Sequence, residues 1–134
     1  NKGEINESLE MLKEASRLCP INYAIYRLLV LALYRNDEYS NELLEAFYAG
    51  VNLYPPLLFE LLPYGLEVSQ QLGQNDCLRE ILKKFILVYA RSFNPDDTSI
   101  EIPKETKLAV KRYKHFLSGW TKNIANQMVA SGRI

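Results

Sequence analysis

Residues Ser8 to Pro20 read SLEMLKEASRLCP, and the spacing inside this stretch sets the phase in which the rest of the chain can be laid out. Leu9, Leu12 and Ala15 recur at helical intervals, and Leu18 and Cys19 close the stripe. Glu10, Lys13, Glu14 and Arg17 fall mostly elsewhere around the same helix. Apolar residues at these intervals make an amphipathic helix with one buried face. Asn6 is the candidate N-cap, because its side-chain oxygen can accept from an unpaired N–H of the first turn. Pro20 has no N–H and disfavours helical geometry in Cys19, so the helix is expected to stop there.

Counting forward predicts further helices. Asn22 to Arg35 is apolar nearly all round, with Arg27 the main interruption, as in a helix sandwiched between neighbours. A polar turn follows at Asn36-Asp37-Glu38, and Ser40 can cap a third helix to about Asn52 with Leu43, Leu44, Phe47 and Val51 inward. Ala46 and Ala49 allow a neighbour to come close. Tyr54-Pro55-Pro56 ends that helix, and Pro56 suits the start of the next. The fourth helix carries Leu57, Leu58, Leu61, Leu62, Leu66 and Leu72. Pro63 lies inside it and predicts a kink or a break into two short helices. Gly73 is its expected stop. Asn75 or Asp76 can cap a fifth helix to about Phe93, with Leu78, Ile81, Leu82, Phe85, Val88 and Tyr89 on its core face. Asn94 to Pro103 reads as a loop. Lys104 to about Val129 reads as one long helix, with the apolar stripe Val110, Tyr113, Leu117, Trp120, Ile124 and Met128 and a bend at Ser118-Gly119. Gly132 to Ile134 is expected to fray.

Ser8, Leu12, Ala15 and Pro20 follow an order of small, large apolar, alanine and proline residues that resembles the second helix of a tetratricopeptide repeat. Pro20, Pro55 and Pro95 follow helix ends at separations near the repeat length of about 34 residues, the second one stretched. Tyr26, Leu29, Leu33 and Ala49 match positions of the family's pattern in the middle unit, and Asp37 stands where its turn glycine is expected. The resemblance covers roughly residues 5–95. It implies an all-α fold of antiparallel helical hairpins in a right-handed solenoid, and the long last helix would cap the exposed end. It also implies a groove lined by the first helix of each unit, here Ala24, Arg27, Leu31, Tyr34 and Arg35. Arg27 and Arg35 could meet a carboxylate and Tyr34 could supply a contact face, with Leu31 among them; the alternative is that a neighbouring helix covers Leu31 and Tyr34. The family's carboxylate clamp wants an Asn where Leu31 stands, which argues against a chaperone-tail ligand.

With 134 residues and 48% apolar content, the chain suits a single helical-repeat domain and is too apolar for a disordered tail. Residue 1 is Asn rather than Met, so a fragment of a larger protein is expected, with the partner of the first helix upstream. Net charge is zero, yet residues 1–67 carry five Lys+Arg against ten Asp+Glu, and residues 68–134 carry eleven against six. Such polarity fits opposite ends of an elongated body or a basic docking surface. Cys19 and Cys77 form no C-x-x-C pair, and as helical residues beside apolar neighbours they are expected to be buried thiols. The longest nearly apolar run, Leu28 to Tyr34, is far short of the ~20 residues a bilayer needs.

Chemistry is sparse. The single histidine, His115, sits among lysines on the last helix, with no nucleophile or ligand motif near it. No phosphate-binding glycine loop occurs. Glu10 with Glu14, and Glu42 with Glu45, are carboxylate pairs of the kind helix surfaces carry routinely. These features predict no enzyme activity, no metal and no cofactor. Lys104, Lys107, Lys111 and Lys114 align on one helix face, a solvated surface or a docking strip for anionic lipid or nucleic acid. The leading expectation is a protein- or peptide-binding scaffold module of a larger protein. A second is an extramembrane domain of a bacterial envelope protein of the O-antigen polymerase or ligase type, offered by analogy.

Overall fold

The computed structural model describes residues 2–92 and 101–134. The secondary structure of the described residues is all helical, with no strand among them. Contacts divide the chain into two compact units, Asn1–Leu57 and Leu58–Ile134. The ends expected at Phe93 and Pro95, and most of the loop expected at Asn94 to Pro103, lie outside the described residues.

The first unit holds α1 (Lys2–Leu18), α2 (Tyr23–Arg35) and α3 (Asn41–Leu53), followed by a short 3-10 turn at Pro55–Leu57. Asn6 lies inside α1 rather than capping it, since the helix is already running from Lys2. Asn22 caps α2 by accepting from the Ala24 N–H at 3.1 Å. Ser40 caps α3 by accepting from the Leu43 N–H at 3.4 Å, as its position predicts. α2 packs against both α1 and α3 and buries Leu29, Val30, Leu31 and Leu33, though Tyr23, Ala24 and Leu28 stay exposed. α3 buries Leu43, Leu44, Ala46, Phe47, Gly50 and Val51.

The turn between α2 and α3 shows what replaces the expected glycine. Asp37 has φ +56°, the left-handed region that glycine enters freely, and it is the non-glycine residue there among those described. The Asp37 N–H donates to the Tyr34 carbonyl and the Glu38 N–H to the Leu33 carbonyl, the paired bonds of a Schellman cap. Asp37→Gly is therefore expected to stabilise the first unit by about 0.5–1 kcal/mol, read as a higher urea midpoint at unchanged slope. A lower midpoint would show that the Asp side chain does more there than tolerate the turn.

The second unit holds α4 (Leu58–Gln71), α5 (Asn75–Ser92), α6 (Lys104–Tyr113), a 3-10 turn at Lys114–Phe116 and α7 (Gly119–Ala130). α4 ends in the same cap as α2: Gly73 has φ +70°, its N–H donates to the Gln70 carbonyl, and the Gln74 N–H donates to the Ser69 carbonyl. α5 starts at Asn75 itself, and the Asp76 carboxylate takes the Arg79 guanidinium one turn on. Its core face is the expected one with Ile86 added and Val88 only half-buried.

Several expectations change in this unit. Of the kink or break expected at Pro63, the break does not occur, and α4 runs past it as one helix. Proline cannot donate to the carbonyl four residues earlier, and that Phe59 carbonyl instead accepts from the Thr106 hydroxyl of α6 at 2.7 Å. A second bond, from the Tyr113 hydroxyl to Gln70 Oε1 at 3.1 Å, ties the far ends of the same helices, so α4 and α6 run in the same direction. The single terminal helix expected from 104 to 130 is two. After α6 the chain tightens into the 3-10 turn, Leu117 and Ser118 are extended, and Gly119 takes φ +59°. After the break Leu117 is buried, Thr121, Ala125 and Met128 turn inward, and Trp120 is left 61% exposed. The C-terminus also departs from expectation. The Arg133 and Ile134 N–H groups both donate to the Met128 carbonyl, and the Ile134 side chain is buried.

Candidate functional site

Among the described residues, no three His, Cys, Asp or Glu side chains gather as a metal site would require. His115 is exposed on the 3-10 turn with its ring against Phe116, centroids 4.3 Å apart. Neither cysteine is buried as expected. Cys19 is exposed just past the end of α1, where its apolar neighbours are themselves exposed, and Cys77 is half-buried near the start of α5.

The groove residues expected on α2 do not act together as an open face. Leu31 is 9% exposed and belongs to the core, which removes it as a ligand contact. Arg27 and Tyr34 are half-buried, and the Tyr34 ring leans on Tyr39 with centroids 5.4 Å apart. Arg35 is exposed and lines a shallow hollow with Glu4, Ser8 and Ala32 between α1 and α2. The apolar character of α2 suggested a sandwich but not which side chains it would hide.

α1, α2 and α3 together line a second concavity of about 390 Å³, formed by Lys13, Ser16, Arg17, Tyr26, Leu29, Glu42, Glu45, Ala46 and Ala49. Lys13 spans it, 3.2 Å from a Glu42 oxygen on α3 and 3.6 Å from Glu10 on its own helix. The Glu42 hydrogen bond, with the nearby Glu42 and Glu10 charges, holds the Lys13 ammonium above its ordinary pKa of 10.5 against the opposing effect of burial. That bond ties α1 to α3, a structural use of the charges that line the hollow.

Besides Met11 on α1 and Leu28 on α2, the large apolar side chains exposed on the first unit lie at the end where α1 hands over to α2 and α3 finishes. Leu18 is 72% and Ile21 82% exposed there, and Tyr23 at the start of α2 and Leu53 and Tyr54 at the close of α3 are exposed as well. The Tyr23 and Tyr54 rings stack, centroids 4.4 Å apart and planes 20° from parallel. The Tyr26 hydroxyl donates to the Pro20 carbonyl at 3.0 Å and fixes the turn that carries Ile21. Sequence reading placed Leu18 and Cys19 on the buried stripe and so missed this end. The signal was the Leu-Cys-Pro-Ile-Asn-Tyr run, which puts apolar residues on both sides of a helix stop.

The lysine row is shorter than expected. Lys104, Lys107 and Lys111 share one face of α6, joined there by Arg112. Lys114 falls on the 3-10 turn and donates to Asn126 Oδ1 at 3.2 Å. None of Lys104, Lys107, Lys111 and Arg112 lies within ion-pair distance of a described carboxylate. No protein family, curated protein or solved structure matches this chain.

Proposed function

We propose that this chain is a non-enzymatic, tetratricopeptide-like helical-hairpin module that binds a protein segment bearing apolar or aromatic side chains. The observation that carries the reading is the exposed apolar end of the first unit, Leu18, Ile21, Tyr23, Leu53 and Tyr54. Aromatic and aliphatic side chains held in place by a rigid scaffold are the usual anchors of protein interfaces. The hairpin reading is supported by the two Schellman turns at Asp37 and Gly73, thirty-six residues apart and close to one repeat length. α2 and α4 each run into such a turn, and α3 and α5 each follow it. The stacked tyrosines lose little side-chain freedom on binding, because their rings already rest on each other.

A photo-crosslinking amino acid at position 21 tests this. It is expected to yield discrete adducts that the same group at position 83 does not, and the captured protein, once purified, should bind the unlabelled chain. Ile21→Asp should weaken that binding about tenfold or more, the loss expected of an interface anchor, and leave the circular-dichroism melt unchanged. Adducts equally frequent from both positions, or undiminished binding by Ile21→Asp, would reject the reading.

A further inference from the structure

We infer that the outward face of α6 is a docking surface for an anionic lipid bilayer. α6 buries Thr106, Ala109, Val110 and Tyr113, so the opposite side of this ten-residue helix faces out. That side carries Lys104, Lys107, Lys111 and Arg112, with Glu105 at its edge. Residues 104–134 as a whole hold seven Lys+Arg and one Asp+Glu.

Helix stability accounts for Lys111 and Arg112, which lie in the last turn where the dipole favours cations, but not for Lys104 and Lys107. Lys104 is the first residue of α6 and Lys107 lies in its first turn, where the positive end of the helix dipole disfavours cations. No carboxylate stands three or four residues from Lys104, Lys107 or Lys111 within the helix. Among the described residues, the charge of all four cations is left without an acidic partner. Clusters of four or more Lys and Arg on an amphipathic helix suit phosphatidylserine-type headgroups.

Leu108 decides between a bilayer and a nucleic acid. It is 53% exposed in the middle of the cationic face, with Lys104 one turn before it and Lys111 and Arg112 one turn after. An apolar side chain there gains nothing from a phosphate backbone, but it can enter the boundary between headgroups and acyl chains. The lysine stems can lie along that boundary with their ammonium groups in the headgroup layer.

Flotation of the full chain with extruded vesicles tests the inference. Vesicles of phosphatidylcholine with roughly a third phosphatidylserine are expected to bind at least about tenfold more tightly than pure phosphatidylcholine, and added salt should erode the difference. Lys107→Glu with Lys111→Glu should lower binding to the anionic vesicles about twentyfold or more, since each cation near such a surface is worth roughly fivefold. Leu108→Ser should lower it several-fold without changing the charge. A fluorescent 20-base-pair duplex is the competing probe, expected to bind more weakly than the anionic vesicles. Equal binding to both vesicle types, indifference to the double substitution, or tighter binding to the duplex would each overturn the inference. All three positions are exposed or half-exposed, and an unchanged thermal melt confirms that the variants are folded.

Discussion

Thr106→Val is expected to destabilise the second unit by about 2 kcal/mol, and most of that loss should vanish when Pro63 is first replaced by alanine. Thr106 is fully buried, and its hydroxyl donates to the Phe59 carbonyl at 2.7 Å. That carbonyl has no donor four residues on, because position 63 is proline. Valine keeps the shape of threonine and removes only the hydroxyl, so the carbonyl would be left without its partner. An unpaired buried polar group costs roughly 1–3 kcal/mol. In the Pro63→Ala background the backbone N–H restored at position 63 can close the helical bond to Phe59, and the hydroxyl becomes redundant. A double-mutant cycle by urea unfolding should therefore give a coupling of about 1 kcal/mol or more between positions 63 and 106, well outside the additivity of independent sites. Additive effects would mean that the threonine does not compensate for the proline. Thr106→Ser, which keeps the donor, should cost less than Thr106→Val.

The same pair explains why one part of the fold was legible in sequence and another was not. The helix reading of α3 rested on local facts, a serine cap and apolar spacing, and local facts decide it: Ser40 accepts from Leu43, and Leu43, Leu44, Phe47 and Val51 are buried. Gly73 likewise stops α4 by a backbone preference that needs no neighbour. That α4 continues past Pro63 was not legible, because the freed Phe59 carbonyl is paired by a hydroxyl 47 residues along the chain from it. The terminal helix was misread for a related reason. Val110, Tyr113, Leu117, Trp120, Ile124 and Met128 fit an unbroken helical stripe, but the chain leaves the helix at Leu117, and Gly119 permits the turn at φ +59°. Periodicity counts apolar positions along one rod and does not see a second packing solution that buries Thr121 and Ala125 and leaves Trp120 outside.

The candidate surfaces divide in the same way. The lysine row on α6 could be read from spacing, because a face opposite an apolar stripe points outward wherever the helix packs. The apolar end of the first unit could not. Leu18 continues a stripe whose earlier members do turn inward, Leu9 fully and Leu12 in part. Its exposure follows from where α1 ends relative to α2 and α3, a tertiary fact.

Gly50→Val is expected to cost about 2–3 kcal/mol, and Gly50→Ala to stay within about 1 kcal/mol of the parent. Sequence reading assigned the close approach in α3 to Ala46 and Ala49 and passed over Gly50. A β-carbon built on Gly50 would stand 3.1 Å from the Tyr26 β-carbon on α2 and 3.3 Å from Leu57 Cδ1. The Leu57 methyl can swing away, but a β-carbon is fixed by its own backbone, so α2 and α3 themselves must part. For alanine the parting is a few tenths of an ångström, and it is offset by the gain of about 1 kcal/mol from removing a glycine from a helix interior. Valine adds two methyl groups in a stiff rotamer where α3 already stands close to α2, and overpacking of this kind costs typically about 1–3 kcal/mol. The displacement also acts on Tyr26, whose hydroxyl bond to the Pro20 carbonyl holds the turn bearing Ile21. Urea unfolding should show the valine variant losing midpoint at constant slope, and a loss under about 0.5 kcal/mol would mean that the helices are not pressed together there. Crosslinking from position 21 should fall in the valine variant and persist in the alanine variant, because the presentation of the apolar end depends on how closely α3 seats against Tyr26.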